Sequence, residues 1–382
     1  MGKNTGNSLK KLHVGLIFGG RSGEHEVSLA SARSVLANLD PEKYEVTQIG
    51  ITHEGVWLVG DDALGVLSEG SSVTPQDNSL IPVTLLPEPT RHGIYIIHTQ
   101  GKKREIIEHL TDLDVVFPVL HGTFGEDGTL QGLFELGDIA YVGAGVLGSA
   151  VGMDKDVFKK VMLAQQIPTV EWVIFERKQI ENDMDSVLEQ SASLAPFPLF
   201  VKPCNLGSSV GITKCRSRAD LIEGLLEAAS YGRRILVERG LEARDIEVSV
   251  LGNDQPEASI PGEIIPDHEF YSYEAKYISG GSQLLIPAPI PAEKAQLARE
   301  LAVKAYKAID CAGMARADFL LERDSGEIYL SEVNTIPGFT QISMYPKLWE
   351  ACGLPYPELI DRLIALALER KAERDRTVYR YR

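Results

Sequence analysis

The chain has 382 residues, of which 44% are hydrophobic and 24% charged, and a globular chain of this length is expected to form two or three domains. Its 38 basic and 54 acidic residues leave a net charge of −16, which argues against nucleic acid or an anionic membrane as the main partner. The 4 cysteines lack CxxC spacing and no apolar run approaches the roughly 20 residues that span a bilayer, so we expect a reduced, cytoplasmic protein without signal peptide or anchor.

The amino-terminal part begins with a predicted strand at residues 12–20, a glycine turn and a helix with apolar residues at Val27 and Leu29. This order is typical of an open α/β sheet, in which ligands bind beyond the carboxyl ends of the strands. Glu24 lies in that turn. The turn lacks the GxGxxG pattern, so a dinucleotide site is not indicated. Residues 60–90 show no clear period and receive no assignment.

Residues 112–122 form a second candidate for a buried strand of this sheet. It ends at His121 and Gly122, at the same predicted edge as Glu24. A lone histidine at a strand end is more often a structural hydrogen-bonding group than a functional one. The expected closeness of Glu24 narrows the difference between these two interpretations of His121.

A run of small residues at 144–149 predicts a domain boundary, and the helix beyond it has Asp154 as a plausible N-cap. A strand, a glycine loop and a second strand follow over residues 198–215. The glycines and the hydroxyls of Ser208 and Ser209 could fold over phosphates, with positive charge from Lys155 and Lys202. The loop does not have the Walker sequence. The alternative is an ordinary glycine hairpin.

Two acidic residues follow on predicted strands. Glu238 ends a strand that could border an adenine pocket, and Glu247 lies within the next strand. Residues 269–281 are rich in tyrosine, including Tyr277, and also contain Lys276 and a glycine pair. Aromatic loops with a glycine hinge often act as lids that exclude water. A surface loop packed on its own aromatic side chains is the alternative.

The stretch 316–340 predicts a β-hairpin with a polar turn. Asp318 stands near the start of the first strand, and Glu332 and Asn334 stand two residues apart on the second, so these two share a face. Two carboxylates and an amide oxygen are suitable ligands for Mg²⁺. Acidic residues that simply face solvent are the alternative.

Together these motifs resemble the ATP-grasp superfamily and, within it, the D-alanine–D-alanine ligase family. The resemblance depends on six segments in the family's order, between residues 12 and 349: FGGRSGEHEVS, LHGTFGEDGTLQG, VKPCNLGSSVGI, FYSYEAKY, GMARADF and EVNTIPGFTQISMYPKLW. It implies an α/β fold of three domains: a preATP-grasp domain at 1–145 with an open parallel sheet that binds the first D-alanine, and two ATP-grasp subdomains at 146–238 and 239–382 that enclose ATP.

The resemblance also implies the reaction and its components. Two D-alanine molecules would be joined through a D-alanyl phosphate, with release of ADP and phosphate, for the synthesis of peptidoglycan precursors. ATP is the implied co-substrate, with two Mg²⁺ or Mn²⁺ ions and room for a monovalent cation activator. A homodimer is implied as well.

The family's functional residues fall on matching positions of this sequence. For the first D-alanine, Glu24 would hold the ammonium with His121 nearby, and Ser208 and Tyr277 would join Glu24 in a hydrogen-bond network. The implied ATP contacts are Lys155, Lys202 and Ser209 at the phosphates, Glu238 at adenine, Glu247 at ribose and Lys276 at the γ-phosphate. The implied reaction centre consists of Arg316 at the reacting carboxyl, the metal ligands Asp318, Glu332 and Asn334, and Gly338 and Ser343 at the second substrate's carboxylate.

Three other functions remain open from the sequence. A ligase that accepts D-lactate or D-serine would share most of these motifs, although Tyr277 resembles the dipeptide-forming type. A nucleotide-binding module without catalysis would be expected to lack a metal ligand or a phosphate lysine, and both are present. A carboxylase-type ATP-grasp enzyme offers no role for Glu24.

Overall fold

The computed structural model of the chain describes residues 10–69, 80–100, 104–207, 210–266 and 283–379. Within this part of the chain, no helix is both long and apolar enough to cross a lipid bilayer. The predicted site residues Ser208, Ser209, Lys276 and Tyr277 lie outside the described residues.

The amino-terminal part is a mixed sheet. Its strands are β1 (Leu12–Gly19), β2 (Tyr44–Ile51), β3 (Trp57–Val59), β4 (Ile81–Leu85), β5 (Ile94–Gln100), β6 (Arg104–Thr111) and β7 (Val115–Pro118), in the order β6-β5-β4-β3-β2-β1-β7. β1 is parallel to β2 and β7, whereas β3 to β6 add antiparallel pairs. The α/β class is confirmed, but parallel pairing is limited to β1, β2 and β7, so the expectation of an open parallel sheet is only partly met. The antiparallel strands begin at β3, just before the stretch 60–90 that received no assignment.

Buried apolar residues on both faces of β1 explain its central place in this sheet. Leu16, Ile17 and Phe18 are all fully buried, as expected for a parallel strand that is covered on both sides. Helices α1 (His25–Asn38), α2 (Ala63–Ser68) and α3 (Thr129–Leu136) belong to this part. The carboxyl end of β1 therefore leads directly into the turn that contains Glu24.

Two short helices, α4 (Val146–Met153) and α5 (Lys155–Ala164), lead away from the first sheet. The predicted N-cap is confirmed, because the Asp154 carboxylate accepts a hydrogen bond of 3.0 Å from the Val157 N–H. The cap places Lys155 in the first turn of α5. The small residues at 144–149 run into α4, so this stretch is partly helical.

A second, antiparallel sheet has its own hydrophobic core. It contains β8 (Trp172–Glu176), β9 (Leu199–Pro203), β10 (Thr213–Cys215) and β11 (Arg234–Arg239), in the order β10-β9-β11-β8, with helices α6 (Arg177–Asn182), α7 (Met184–Leu194) and α8 (Arg218–Tyr231). Phe175, Leu199 and Leu225 are among its buried residues. β9 and β10 are the predicted strands on either side of the glycine loop.

A third sheet contains the predicted hairpin. Its strands are β12 (Ala243–Leu251), β13 (Glu257–Ala258), β14 (Gly262–Ile265), β15 (Gln283–Leu285), β16 (Met314–Glu322) and β17 (Ile328–Asn334). The order is β15-β14-β12-β16-β17, with β13 paired to β12. Helix α9 (Ala292–Ala308) covers one face, where Ala302 and Ala305 are fully buried against Phe319 and its neighbours.

The carboxyl-terminal helices α10 (Met344–Ala351) and α11 (Tyr356–Arg374) connect the third sheet to the first. Leu359 and Leu363 of α11 share one core with Phe117 of β7 and with Phe339. Arg374 reinforces this contact through ion pairs with Glu135 and with Asp138, the latter at 2.9 Å. The first sheet and the hairpin are thus fixed against each other, which sets the geometry of the cavity between them.

Candidate active site

One cavity collects residues from the first sheet, the glycine loop and the hairpin. Seven of the predicted site residues line it: Glu24, His121, Lys155, Arg316, Glu332, Asn334 and Gly338. These residues are separated by more than 300 positions in sequence, so the fold brings the predicted substrate and metal groups together.

Glu24 is buried at the start of α1, with 8% of its surface exposed. Backbone from two other loops approaches its carboxylate closely: a Cβ added to Gly122 would lie 2.5 Å from Oε2, and one added to Gly207 would lie 3.0 Å away. Gly122 also has φ +75°, a conformation that glycine adopts without strain. The glycines therefore leave space for the carboxylate inside the cavity.

His121 connects three parts of the site. Its Nδ1 lies 2.9 Å from the carbonyl oxygen of Ile336 and its Nε2 lies 2.9 Å from Oγ of Ser31. Because a carbonyl oxygen can only accept, Nδ1–H donates and Nε2 accepts from the serine. Burial lowers the pKa of this imidazole, which favours the neutral form. Both ring nitrogens already have protein partners, so contact with substrate stays a prediction.

Glu126 is a half-buried carboxyl group of the site that the sequence patterns did not indicate. It accepts hydrogen bonds from the N–H of Gly122 at 2.8 Å and of Ile336 at 2.9 Å. Burial and the nearby charge of Glu24 raise its pKa to about 8. The only sequence signal was its place in the GEDG segment, five residues after His121. Glu126 joins the loop after β7 to the loop after β17.

Glu238 on β11 is buried and forms ion pairs with two lysines. Lys202 Nζ lies 2.5 Å from Glu238 Oε2, and Lys159 contacts the other oxygen. Burial alone would raise the pKa of this carboxyl, but the two ammonium groups and their hydrogen bonds lower it to about 2. Lys159 was not predicted, although its position one turn after Lys155 on α5 is a signal that could have identified it.

Lys155 links the glycine loop to the hairpin. Its ammonium donates a hydrogen bond of 2.7 Å to the carbonyl of Leu206 and lies 3.9 Å from Oε2 of Glu332. A phosphate chain that entered between loop and hairpin would meet this charge.

The hairpin aligns its polar residues across three strands. Asp318 pairs with Glu332 on one side and with Glu247 of β12 on the other, while Arg316 pairs with Asn334. Arg316 donates to both carboxylate oxygens of Asp318 at 2.7 Å each, and Asn334 Nδ2 donates to Asp318 at 2.8 Å. The predicted hairpin and its shared face are confirmed.

These residues fit a hard divalent cation. Asp318, Glu332 and Asn334 can coordinate a cation through oxygen atoms, and the side chains of Asp318 and Glu332 remain 18% and 32% exposed. Glu332 and Asn334 line the cavity. Arg316 also lies 2.9 Å from Glu247 Oε2. Glu247 thus lies beside the metal ligands, and its contact with ribose stays a prediction.

The loop after the hairpin carries the last two predicted residues. Ser343 Oγ accepts a hydrogen bond of 3.0 Å from the N–H of Thr340 and lies 2.7 Å from its hydroxyl. A Cβ on Gly338 would come within 2.8 Å of the same oxygen. Gly338 and Ser343 are therefore in contact at the cavity's edge, as expected if both line one small substrate.

Comparison with known proteins accounts for nearly the whole chain. Residues 13–144 match the family model described as "D-ala D-ala ligase N-terminus", and residues 161–365 match "D-ala D-ala ligase C-terminus". The chain is similar to the D-alanine–D-alanine ligases of Thermoanaerobacter sp., with 50% identity over 96% of this chain and 99% of the relative, and of Heliobacterium modesticaldum, with 46% identity over 96% and 98%.

Solved structures agree with the sequence relatives. The D-alanine-D-alanine ligase from Coxiella burnetii superposes with a TM-score of 0.79 at 36% identity, covering 96% of each chain. The VanG D-Ala:D-Ser ligase from Enterococcus faecalis superposes with a TM-score of 0.81 at 35% identity, covering 94% of this chain and 100% of that one.

Proposed function

The chain belongs to the D-alanine–D-alanine ligase family, and we propose that it joins two D-alanine molecules into D-alanyl-D-alanine while converting ATP to ADP and phosphate. Family membership makes it an ATP-dependent ligase that uses a divalent metal ion. The observation that supports the reaction best is the shared cavity of Glu24, Arg316 and Glu332. It offers an anion for an ammonium group, a cation for a carboxyl group and an oxygen ligand for a metal.

The first step is activation of the first D-alanine. Glu24 holds its ammonium, which places the carboxylate toward Arg316 and the hairpin. The carboxylate then attacks the γ-phosphoryl group of ATP, forming an acyl phosphate and releasing ADP. Lys155 and Lys202 offset negative charge on the phosphates, as positioning and charge neutralisation supply most of the catalysis of phosphoryl transfer.

The metal site supports this step. Bound Mg²⁺ or Mn²⁺, held by Asp318, Glu332 and Asn334, would neutralise charge on the phosphate oxygens. We propose two ions, as the resemblance implies, with a monovalent cation as a further activator. Ser209, Lys276, Glu238 and Glu247 are the remaining proposed ATP contacts.

The second step forms the peptide bond. The amine of the second D-alanine attacks the acyl carbon, and the bond to phosphate breaks as the tetrahedral intermediate collapses. Arg316 stabilises the developing oxyanion, a contribution of about 3 kcal/mol for a donor of this type. Gly338 and Ser343 line the site of the second carboxylate. Ser208 and Tyr277 complete the network around Glu24, and the aromatic loop excludes water that would hydrolyse the acyl phosphate.

Several coarser features are proposed with the reaction. We propose three domains, at residues 1–145, 146–238 and 239–382. This division agrees with the second sheet, which has its own hydrophobic core and comes between the other two sheets in the sequence. The four cysteines are free thiols, which suits a reducing cytoplasm. A homodimer is proposed from the family resemblance.

A D-serine acceptor is the second candidate, because one structural relative is a D-Ala:D-Ser ligase at 35% identity. D-lactate is the third acceptor to consider. The ligase function itself is tested by measuring how much ATP the protein consumes with D-alanine, with L-alanine and without any amino acid. We expect phosphate release to require D-alanine. Equal release without any amino acid would refute the ligase function and favour a different use of ATP.

A further inference from the structure

Two histidines and a glutamate come together at the carboxyl edge of the first sheet, outside the active-site cavity. His25 and Glu26 begin α1, and His53 lies in the turn after β2. One ligand-capable atom from each of the three side chains lies within 4.8 Å of the other two. This cluster, His25–Glu26–His53, has no part in the proposed ligase mechanism.

The ring of His25 is oriented by the backbone. It is buried, with 3% of its surface exposed, and its Nδ1 lies 2.8 Å from the carbonyl oxygen of Gly20. Since the carbonyl can only accept, Nδ1–H donates, which leaves Nε2 as the ring nitrogen for a metal ion. A histidine that ligates a metal almost always donates its other ring N–H in this way, which fixes the ring's orientation and raises its basicity.

His53 and Glu26 complete the set from the solvent side. The rings of His53 and His25 stack with centroids 3.7 Å apart and planes inclined by 24°. Nε2 of His53 lies 3.5 Å from Oε1 of Glu26. Ligand atoms about 2 Å from one tetrahedral ion lie roughly 3.3 Å apart. The lone pairs of stacked rings point along nearly parallel planes, so the His53 side chain must rotate out of the stack before both imidazoles can face one ion.

Exposure and charge favour that rotation. The side chains of His53 and Glu26 are 62% and 68% exposed, so neither is fixed by packing. The carboxylate of Glu54, next in sequence to His53, interacts electrostatically with both imidazoles. The carboxylates of Glu26 and Glu54 add negative charge beside the two imidazoles, which favours a bound cation against the positive end of the α1 dipole.

We propose that His25, Glu26 and His53 form a binding site for a divalent transition-metal ion such as Zn²⁺. Two imidazole nitrogens and one carboxylate suit Zn²⁺ and similar ions, whereas Mg²⁺ prefers oxygen ligands alone. Three protein ligands leave a fourth position for water. The ion ties the first turn of α1 to the turn after β2. This site is separate from Asp318, Glu332 and Asn334 and does not depend on the ligase reaction.

The test is a calorimetric titration of Zn²⁺ into untagged full-length protein that has been treated with a chelator, in the presence of excess Mg²⁺ to fill the oxygen-ligand site. We expect one Zn²⁺ site per chain that His53→Ala and Glu26→Gln each weaken by more than about tenfold. The matched control is His98→Ala, because His98 also pairs with an exposed carboxylate, that of Glu108 at 2.8 Å, but joins no cluster of three possible ligands among the residues that the structure describes. The control should bind Zn²⁺ like the unaltered chain.

Two further readouts do not depend on enzyme activity. Zn²⁺ should raise the melting temperature of the unaltered chain and of His98→Ala, but not of His53→Ala, because a ligand that binds only the folded state stabilises it. Co²⁺ at the site should give visible absorption that His25→Ala abolishes. Absence of a Zn²⁺ site in the presence of Mg²⁺, or equal Zn²⁺ affinity in His53→Ala and the unaltered chain, would overturn the proposal.

Discussion

Arg316 donates two hydrogen bonds, each 2.7 Å long, to the two carboxylate oxygens of Asp318. The two residues lie two positions apart on the same face of β16. Asn334 adds a third hydrogen bond to the same carboxylate. The carboxylate that we propose as a metal ligand is therefore already oriented by protein donors. If Asp318 binds the metal ion as proposed, the ion and the Arg316 guanidinium share this carboxylate, which would couple the metal site to the reacting carboxyl group.

Replacement of Asp318 by asparagine tests the metal site. The change keeps the shape of the side chain but removes the negative charge that would hold a divalent cation. We expect kcat to fall more than about 100-fold, a larger loss than for residues that only support a ligand, and the Mg²⁺ requirement to increase. Mg²⁺-dependent phosphate release measures both.

The control for Asp318→Asn is Asp324→Ala, which removes an exposed acid from the turn of the same hairpin. It should leave kcat and the Mg²⁺ requirement unchanged. Near-normal turnover in a folded Asp318→Asn protein would disprove the assignment of Asp318 as a metal ligand.

Arg316→Lys tests the oxyanion role. Lysine keeps the positive charge but cannot form the planar, two-pronged contact with Asp318. We expect kcat to fall by roughly 100- to 1,000-fold, the effect of losing an oxyanion donor, with little change in KM for ATP. Steady-state kinetics with each substrate varied in turn measures the split. A change confined to the KM for ATP would place Arg316 at the nucleotide instead.

Gly122→Ala tests the close approach of backbone to Glu24. The added methyl group would lie 2.5 Å from the carboxylate, at a residue with φ +75°, so the carboxylate must move. We expect a higher KM for the first D-alanine and an unchanged KM for ATP. The matched control is Gly132→Ala on α3, where an added Cβ meets nothing within 4 Å. Equal kinetics in the two variants would argue against Glu24 as the ammonium site.

Glu238 makes a testable contribution to acid stability. Its pKa falls from 4.5 to about 2 because two lysines outweigh the effect of burial. A depressed carboxyl pKa stabilises the folded state above the unfolded value of 4.5, and this stabilisation is lost as pH falls toward 2. The contribution at neutral pH is about 3 kcal/mol.

Comparison with Glu238→Gln isolates that contribution. Urea unfolding should show the variant less stable than the unaltered chain at pH 7. The difference should shrink as pH falls from 4.5 to about 2, because the carboxylate of the unfolded chain binds a proton in this range while the native carboxylate stays ionised. A difference that stays constant with pH would mean that the ion pair with Lys159 and Lys202 is not the source of the stability.

Local sequence patterns predicted the elements that carry most of the site. The hairpin was visible because its apolar strands flank a polar turn, and the N-cap at Asp154 because capping depends on neighbours in sequence. Contacts such as that of Glu126 with Ile336, 210 positions apart, leave no local pattern. The same limit applies to the strands after residue 80, because β4 joins the sheet only by pairing with β3.

Family motifs supplied what periodicity could not. Strand patterns already placed Glu24 and His121 at one sheet edge, but only the family's motif order joined Arg316 to them in one site. The pairing of Lys159 with Glu238 was not predicted because Lys159 lies outside the six family segments.

The most direct test of the proposed reaction is product analysis with D-alanine, D-serine and D-lactate offered in competition at neutral pH, using D-alanine labelled with heavy oxygen in its carboxyl group. We predict D-alanyl-D-alanine as the dominant product, formed in equal amounts with ADP, and one labelled oxygen in each phosphate released, because the carboxylate attacks the γ-phosphoryl group. Unlabelled phosphate, or a dominant product that contains D-serine or D-lactate, would contradict the account.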